Sequence, residues 1–236
     1  MGYSLVATIR QRQQAGLLPV LSEIKVRSPK EGDLLGGRDP VALAQEMATC
    51  PIAGLSVVTE SVYFGGNLDL IRNIRPQLAL PILCKDFLRL PVDLEGPAAA
   101  GADAILLIVT LLTDVQLLNL HAAAQALGLE TLVEAHTVAE VERIVRLGLQ
   151  PDLLGINNRD IRVHEVDDGD VSLTEQVAKA IPPGTLLLSE SAIRHAADAK
   201  RARNAGAAAV LVGTAILRAA DPVQAIRDLV AVGWPP

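Results

Sequence analysis

Residues 101–148 read GADAILLIVTLLTDVQLLNLHAAAQALGLETLVEAHTVAEVERIVRLG. An unbroken apolar run, Ala104–Thr110, gives way to helical periodicity over Asp114–Leu127. A second run, Glu130–His136, gives way to a second helical segment, Val138–Leu147. Apolar runs without alternation belong to strands covered on both faces, and strands joined through helices lie parallel. The same unit repeats in both directions. Strands are expected at Val20–Lys25, Gly54–Glu60, Pro81–Phe87, Leu153–Arg159, Thr185–Ser191 and Ala208–Gly213. Helices are expected at Pro40–Thr49, Leu68–Arg75, Val92–Ala100, Leu173–Ile181, His195–Ala205 and Pro222–Val232. Eight strands, each followed by a helix, start about 27 residues apart, which fits a closed barrel in a chain of this length.

Punctuation supports these boundaries. Asp39-Pro40 and Asp221-Pro222 set an N-cap before a proline at the first helical position. Gly101, Gly148 and Gly206 follow helices as C-caps do. An open doubly wound sheet would need a glycine-rich fingerprint after the first strand, and Lys25–Gly37 lacks its spacing. No Pro/Ser/Gly-rich linker divides the chain. The expected architecture is α/β: one domain over residues 1–236, a (βα)8 TIM barrel with a short N-terminal helix near Leu5–Gln14.

Composition narrows the function. Of 236 residues, 50% are hydrophobic and 20% charged, enough to bury a large core and exclude disorder. Twenty-one basic against twenty-seven acidic residues give a net charge of −6, with no general attraction for nucleic acid or anionic membrane. Aromatic residues are only 2%, too few for base-stacking platforms. The longest apolar stretch, around Ala104–Leu112, is too short to span a bilayer. The N-terminal MGYSLVATIRQRQQAG has no apolar core before its charges, so no secretion signal is expected. Cys50 and Cys84 match no metal-ligand spacing, and the reducing cytoplasm is the simplest setting.

Barrels of this kind build their sites at the C-terminal ends of the strands. Those ends carry Glu23 and Lys25, Thr59 and Glu60, Lys85 and Asp86, Glu134 and His136, Asn157 and Arg159, Glu190 and Ser191, and Gly213 with Thr214. Only the fourth strand ends apolar, in Leu107, Ile108 and Val109. Charge inside apolar strands is costly unless paired or used. Glu23 and Lys25 are two apart and face the same side. With Lys85 and Glu134 they offer two ammonium groups and two carboxylates, the equipment of acid–base chemistry. A rim of mutual salt bridges would also place charge here, but bridges alone rarely need lysine in an apolar strand.

A phosphate site is the second expectation. Ser189–Ile193 and Gly213–Ala215 follow the seventh and eighth strands, where such barrels commonly hold phosphate on backbone N–H groups. Other residues read as structural. His136 has no second histidine near it in sequence, so a metal is not expected there. His121, His164 and His195 read as surface or helix residues, and Cys84 as packing on the far face of its strand. Asp167-Asp168-Gly169-Asp170 reads as a solvated loop, because no glutamate follows at calcium-loop spacing.

The motifs also resemble a known family. SEIKVRSPKEG (Ser22–Gly32) is similar to the first-strand motif of indole-3-glycerol-phosphate synthases, the cyclising enzymes of tryptophan biosynthesis. The likeness continues through LSVVTESVYFGG (Leu55–Gly66), ILCKDF (Ile82–Phe87), GADAILLIV (Gly101–Val109) and LVEAH (Leu132–His136). It runs on through GINNRDI (Gly155–Ile161), SESAI (Ser189–Ile193) and VGTAILRAADP (Val212–Pro222), covering roughly Val20 to the C-terminus. The resemblance implies a phosphate-binding barrel without metal or organic cofactor. The reaction it implies closes the pyrrole ring of 1-(o-carboxyphenylamino)-1-deoxyribulose 5-phosphate and expels carbon dioxide and water. By the match, Lys85 is the acid on the ketone oxygen and Glu134 the base of dehydration. Lys25 sits at the substrate carboxylate and is a candidate second acid. Glu23 and Asn157 orient the lysine and substrate hydroxyls, and Glu190 is a further site carboxylate. Ser28 and Arg159 match binding positions near the ring. Phe64, Phe87 and Leu106 line its pocket, and Ser191, Ala192, Gly213 and Thr214 hold the phosphate. The expected partner is this phosphorylated small molecule; other enzymes of tryptophan biosynthesis are candidate protein partners.

Three positions depart from the family pattern. Ala192 stands where the family has glycine, and a methyl there opposes a positive φ. Lys30 replaces a serine, and only 22 residues precede Glu23, where the family typically has a longer extension. These departures keep open a paralogue that carries out an analogous decarboxylating cyclisation on another aryl-amino or β-keto acid substrate. Loss of Ser191 or Thr214 would then barely affect activity. A silent barrel that binds a partner enzyme conflicts with Glu23, Lys25, Lys85 and Glu134 all being present. A phosphosugar isomerase conflicts with the KDF and INNRD runs.

Overall fold

The computed structural model describes residues 2–163 and 169–235; His164, Asp167 and Asp168, read above from the sequence, lie outside them. Ten strands are described: β1 (Val20–Ile24), β2 (Arg27–Ser28), β3 (Gly32–Asp33), β4 (Gly54–Val58), β5 (Ile82–Lys85), β6 (Ala104–Ile108), β7 (Glu130–Ala135), β8 (Leu153–Asn157), β9 (Leu187–Glu190) and β10 (Ala209–Val212). The helices are α1 (Leu5–Gln14), α2 (Pro40–Met47), α3 (Leu68–Ile74), α4 (Glu95–Ala100), α5 (Asp114–Ala126), α6 (Val138–Arg146), α7 (Ser172–Val177), α8 (Ala196–Asn204), α9 (Thr214–Arg218) and α10 (Pro222–Val230). Eight strands close a parallel barrel in the order β1-β10-β9-β8-β7-β6-β5-β4, sealed where Leu21–Ile24 pairs with Gly54–Val57. The remaining two, β2 and β3, form a small antiparallel hairpin above β1.

Period-two alternation sorts each strand between an inner and an outer core. Outward residues such as Val20, Val57, Cys84, Ile105, Val133 and Val210 pack beneath the helices. Inward, Leu21, Leu83, Leu106, Leu132, Leu188 and Leu211 form one apolar layer across the barrel. Each fully buried leucine contributes about 2 kcal/mol. Two residues further along these strands the layer turns polar, with Glu23, Lys85, Glu134 and Glu190 above leucine, while β6 continues apolar in Ile108 and the chain past β10 reaches Gly213.

The opposite mouth is closed by α1. Its Leu5 and Ile9 are fully buried in the same inner cluster. Glu130, at the start of β7, accepts the Leu5 N–H at 2.6 Å and the Ser4 hydroxyl, so it serves the free N–H groups of this helix end. Asp103 accepts the Tyr3 N–H at 2.7 Å.

The expected elements are present, with shorter ends. The Val92–Ala100 helix is a 3-10 turn from Pro91 followed by α4, ended by Gly101 at φ 94°. The Leu173–Ile181 helix is α7 plus a 3-10 turn, because Ile181 precedes Pro182 and takes the extended conformation that proline imposes on its predecessor. Asp39 accepts the Val41 and Ala42 N–H groups, and Asp221 that of Gln224, as caps should. The hairpin and α9 are additions to the sequence reading. Among the described residues no helix is long and apolar enough to cross a membrane.

Candidate active site

The polar layer is held together by a chain of ion pairs. Lys25 Nζ lies 3.0 Å from Glu23 Oε1, Lys85 Nζ 3.6 Å from Glu23 Oε2, and Lys85 Nζ 3.4 Å from Glu190 Oε2. Strands β1, β5 and β9 and the residue that follows β1 thus place Glu23, Lys85, Glu190 and Lys25 in one buried row. The glutamates are almost wholly removed from solvent, so each ammonium is compensated where desolvation would otherwise expel it. Asn157 is in register with Glu190 and its Oδ1 accepts the Arg159 N–H at 3.0 Å.

Two cavities open on this row. One is apolar, lined by Phe64, Phe87, Leu106, Ile108 and Ile161, with Lys25, Lys85 and Glu134 on its wall. Phe64 and Phe87 meet edge-on at 6.4 Å, and Lys25 Nζ lies 5.9 Å from the Phe64 centroid. The other is polar and wider. It runs from Lys25, Lys85 and Arg159 to Ser191, Ala192, Gly213 and Thr214, with Arg194 and Arg218 at its rim. One cavity is small with aromatic and aliphatic walls and the other carries most of the cationic side chains, with the two lysines shared between them. Ser28 stands apart from both linings; its hydroxyl accepts the Glu31 N–H at 2.9 Å and shapes the β2–β3 hairpin. Lys30 is exposed on the same hairpin.

Ser191 and Ala192 both adopt positive φ, 62° and 56°. The alanine therefore takes the left-handed backbone despite its methyl. Asn158 helps to hold this turn: its amide donates to Ser189 Oγ at 3.1 Å, Glu190 O at 2.8 Å and Ser191 O at 3.2 Å, while its Oδ1 accepts from Thr174. Sequence reasoning did not single out Asn158, although the Asn157-Asn158 doublet marks it. In sequence Glu60 is no more than a strand-end charge. Its carboxylate accepts the N–H groups of Val62, Tyr63 and Phe64 at 2.8–3.0 Å and so delivers Phe64 to the apolar cavity.

Cys84 packs in the outer core, as expected. Burial and the charge of Asp86 push its thiol up to about 12 against a hydrogen bond with Thr59, which leaves it an inert thiol. His121 is a helix residue but buried, 3.2 Å from Thr131 Oγ1. His136 has more company than the sequence suggested. Its Nε2 lies 3.5 Å from Glu134 Oε1, its Nδ1 is 3.2 Å from Thr110 Oγ1, and its backbone N–H donates to Glu140 at 2.6 Å.

The family model described as indole-3-glycerol phosphate synthase matches residues 2–229. A relative of that name from Pyrococcus furiosus is 41% identical over 212 residues, covering 90% of this chain and 91% of its own. One from Thermococcus kodakarensis is 40% identical over 233 residues, covering 98% and 99%. One from Carboxydothermus hydrogenoformans is 38% identical, covering 97% and 85%. Among solved structures, orotidine 5'-phosphate decarboxylase from Pyrococcus horikoshii superposes with a TM-score of 0.63 at 16% identity, covering 90% of this chain and 98% of its own, a likeness of fold. With a family match along nearly its whole length and relatives of one name at about 40% identity, the chain belongs to the indole-3-glycerol phosphate synthases, decarboxylating carbon–carbon lyases of tryptophan biosynthesis.

Proposed function

We propose that Lys85 and Glu134 are the acid and base of the family reaction, which turns 1-(o-carboxyphenylamino)-1-deoxyribulose 5-phosphate into indole-3-glycerol phosphate. The observation that carries this reading is the position of Lys85, between Glu23 and Glu190 and on the wall shared by both cavities. Two flanking carboxylates favour the protonated ammonium, which is the form an acid needs. As the aromatic carbon attacks the ketone, Lys85 gives its proton to the oxygen, and no free alkoxide forms. Carbon dioxide then leaves with its bonding pair returned to the ring. In dehydration Glu134 takes a ring proton while a protonated lysine, Lys25 or the recharged Lys85, accompanies the departing hydroxyl as water.

Phe64, Phe87 and Leu106 enclose the anthranilate ring, with Lys25 and Arg159 at its carboxylate. Glu23 orients both lysines; Asn157 and Glu190 serve the hydroxyls and Lys85, and Ser28 acts through the hairpin. Ser191, Ala192, Gly213 and Thr214 take the phosphate. The near full-length match to relatives sharing one name favours this substrate over an analogous one. Two free, buried cysteines support a cytoplasmic setting.

Fluorescence of the indole product tests the assignment. Lys85→Ala should lose at least about a thousandfold in turnover with substrate binding largely kept. Near-normal turnover in that variant would remove Lys85 as the acid.

A further inference from the structure

We propose that His136 is a positioning residue for the base: gripped from behind by Glu140 and Thr110, its imidazole is kept at ion-pair distance from the Glu134 carboxylate and so tunes that group for dehydration. This inference rests on the reading of Glu134 as the base. Three elements converge to make the grip. Thr110 follows β6, His136 follows β7, and Glu140 lies in the first turn of α6. Thr110 Oγ1 donates to Glu140 Oε1 at 2.6 Å and lies 3.2 Å from His136 Nδ1. Glu140 Oε2 accepts the His136 backbone N–H at 2.6 Å and is 3.8 Å from Nδ1. One edge of the ring is thus fixed, and the other presents Nε2 to Glu134 Oε1 at 3.5 Å.

The surrounding charge decides what the ring does. Glu134 from β7, Glu140 from α6, Glu190 from β9 and Asp160 after β8 all face it, with Lys85 compensating Glu190 and Arg162 pairing Asp160. Burial opposes a charged imidazole, but the hydrogen bond to Glu140 and the fields of Glu134, Glu140 and Glu190 outweigh it and raise the histidine above its ordinary value. A cationic ring beside Glu134 favours the carboxylate form, which must be in place before a proton can be accepted. His136 itself exchanges no proton with the substrate.

The test compares His136→Asn, Glu140→Gln and Glu134→Gln in single turnovers across pH, with circular dichroism as the check on folding. His136→Asn should slow dehydration about tenfold and move the acidic limb of the rate–pH profile upward by about one unit, with KM changed less than about twofold. Glu140→Gln, which keeps the imidazole but loosens its grip, should move both in the same direction by less; it decides the matter if His136→Asn does not fold. An unmoved rate and limb in the folded variants, or a raised KM with rate intact, overturns the role of His136. Glu134→Gln separates the two readings: if it stalls dehydration while His136→Asn is normal, only the histidine role fails. Normal turnover in Glu134→Gln would remove the base assignment instead.

Discussion

Gly155 leaves open the space that the Glu190 carboxylate fills: a β-carbon on Gly155 would lie 2.2 Å from Glu190 Oε1 and 3.1 Å from Leu132 Cδ1. Gly213 stands in the same relation to Glu23, whose Oε1 would be 2.3 Å from an added β-carbon. Two inward positions on β8 and just past β10 are therefore empty because neighbouring carboxylates need the room. The expense of burying those carboxylates is met by Lys85 and Lys25, so each glycine is a condition for the ion-pair row.

Gly155→Ala should accordingly act on chemistry through Glu190. The added methyl forces the carboxylate away from Lys85, which lies 3.4 Å from it. Turnover should fall about 10- to 100-fold, while overpacking removes about 1–3 kcal/mol of stability. Steady-state kinetics and urea unfolding measure the two effects separately. A second change, Glu190→Ala in the same background, should recover stability without recovering turnover. Wild-type turnover in Gly155→Ala would show that the position of Glu190 does not matter.

Ala192 gives a prediction about stability alone. A non-glycine residue at φ 56° carries about 1–2 kcal/mol of steric cost. Glycine relieves that cost but enlarges the unfolded ensemble by about 0.5–1 kcal/mol. Ala192→Gly should therefore stabilise the protein by about 0.5–1 kcal/mol, seen as a higher urea midpoint with an unchanged slope. A lower midpoint would mean that the methyl, buried in this turn, packs better than it strains.

The barrel was legible because apolar runs and helical segments alternate eight times, and the inner and outer faces follow from period two. The paired residues at the rim were legible for the same reason: Glu23 and Lys25 share a side, and they meet at 3.0 Å. The expected strand ends run up to two residues past the observed ones. Lys25, Glu60 and His136 look continuous with their strands but lie just past the last ladder positions, where the chain turns towards the site. The His136 grip was not legible, since Thr110 arrives from a neighbouring strand and no spacing announces it. Only Glu140 had a local sign, standing three residues after the Thr137 cap. The β2–β3 hairpin is too short for periodicity to reveal, and Ala192 offered no sign that it would accept a left-handed backbone.

Glu140 makes stability depend on pH in a way that can be worked out in sign. Burial alone would raise its carboxyl, but hydrogen bonds from His136 and Thr110 and the charge of His136 hold it down to about 2, against an ordinary 4.5. A depressed carboxyl stabilises the fold above its unfolded value, and that contribution is lost as pH falls from about 4.5 to about 2. His136 is raised, so its contribution is complete below its ordinary 6.5 and is lost as pH rises through the folded value. The two windows overlap between about pH 5 and pH 6.5. Glu140→Gln should therefore cost most there, about 1–3 kcal/mol, and less at pH 3 and at pH 8.5. Urea unfolding of both proteins at pH 3, 6 and 8.5 measures this directly. A difference of equal size at all three values would mean that Glu140 contributes through shape and neutral hydrogen bonds, with no part played by its charge.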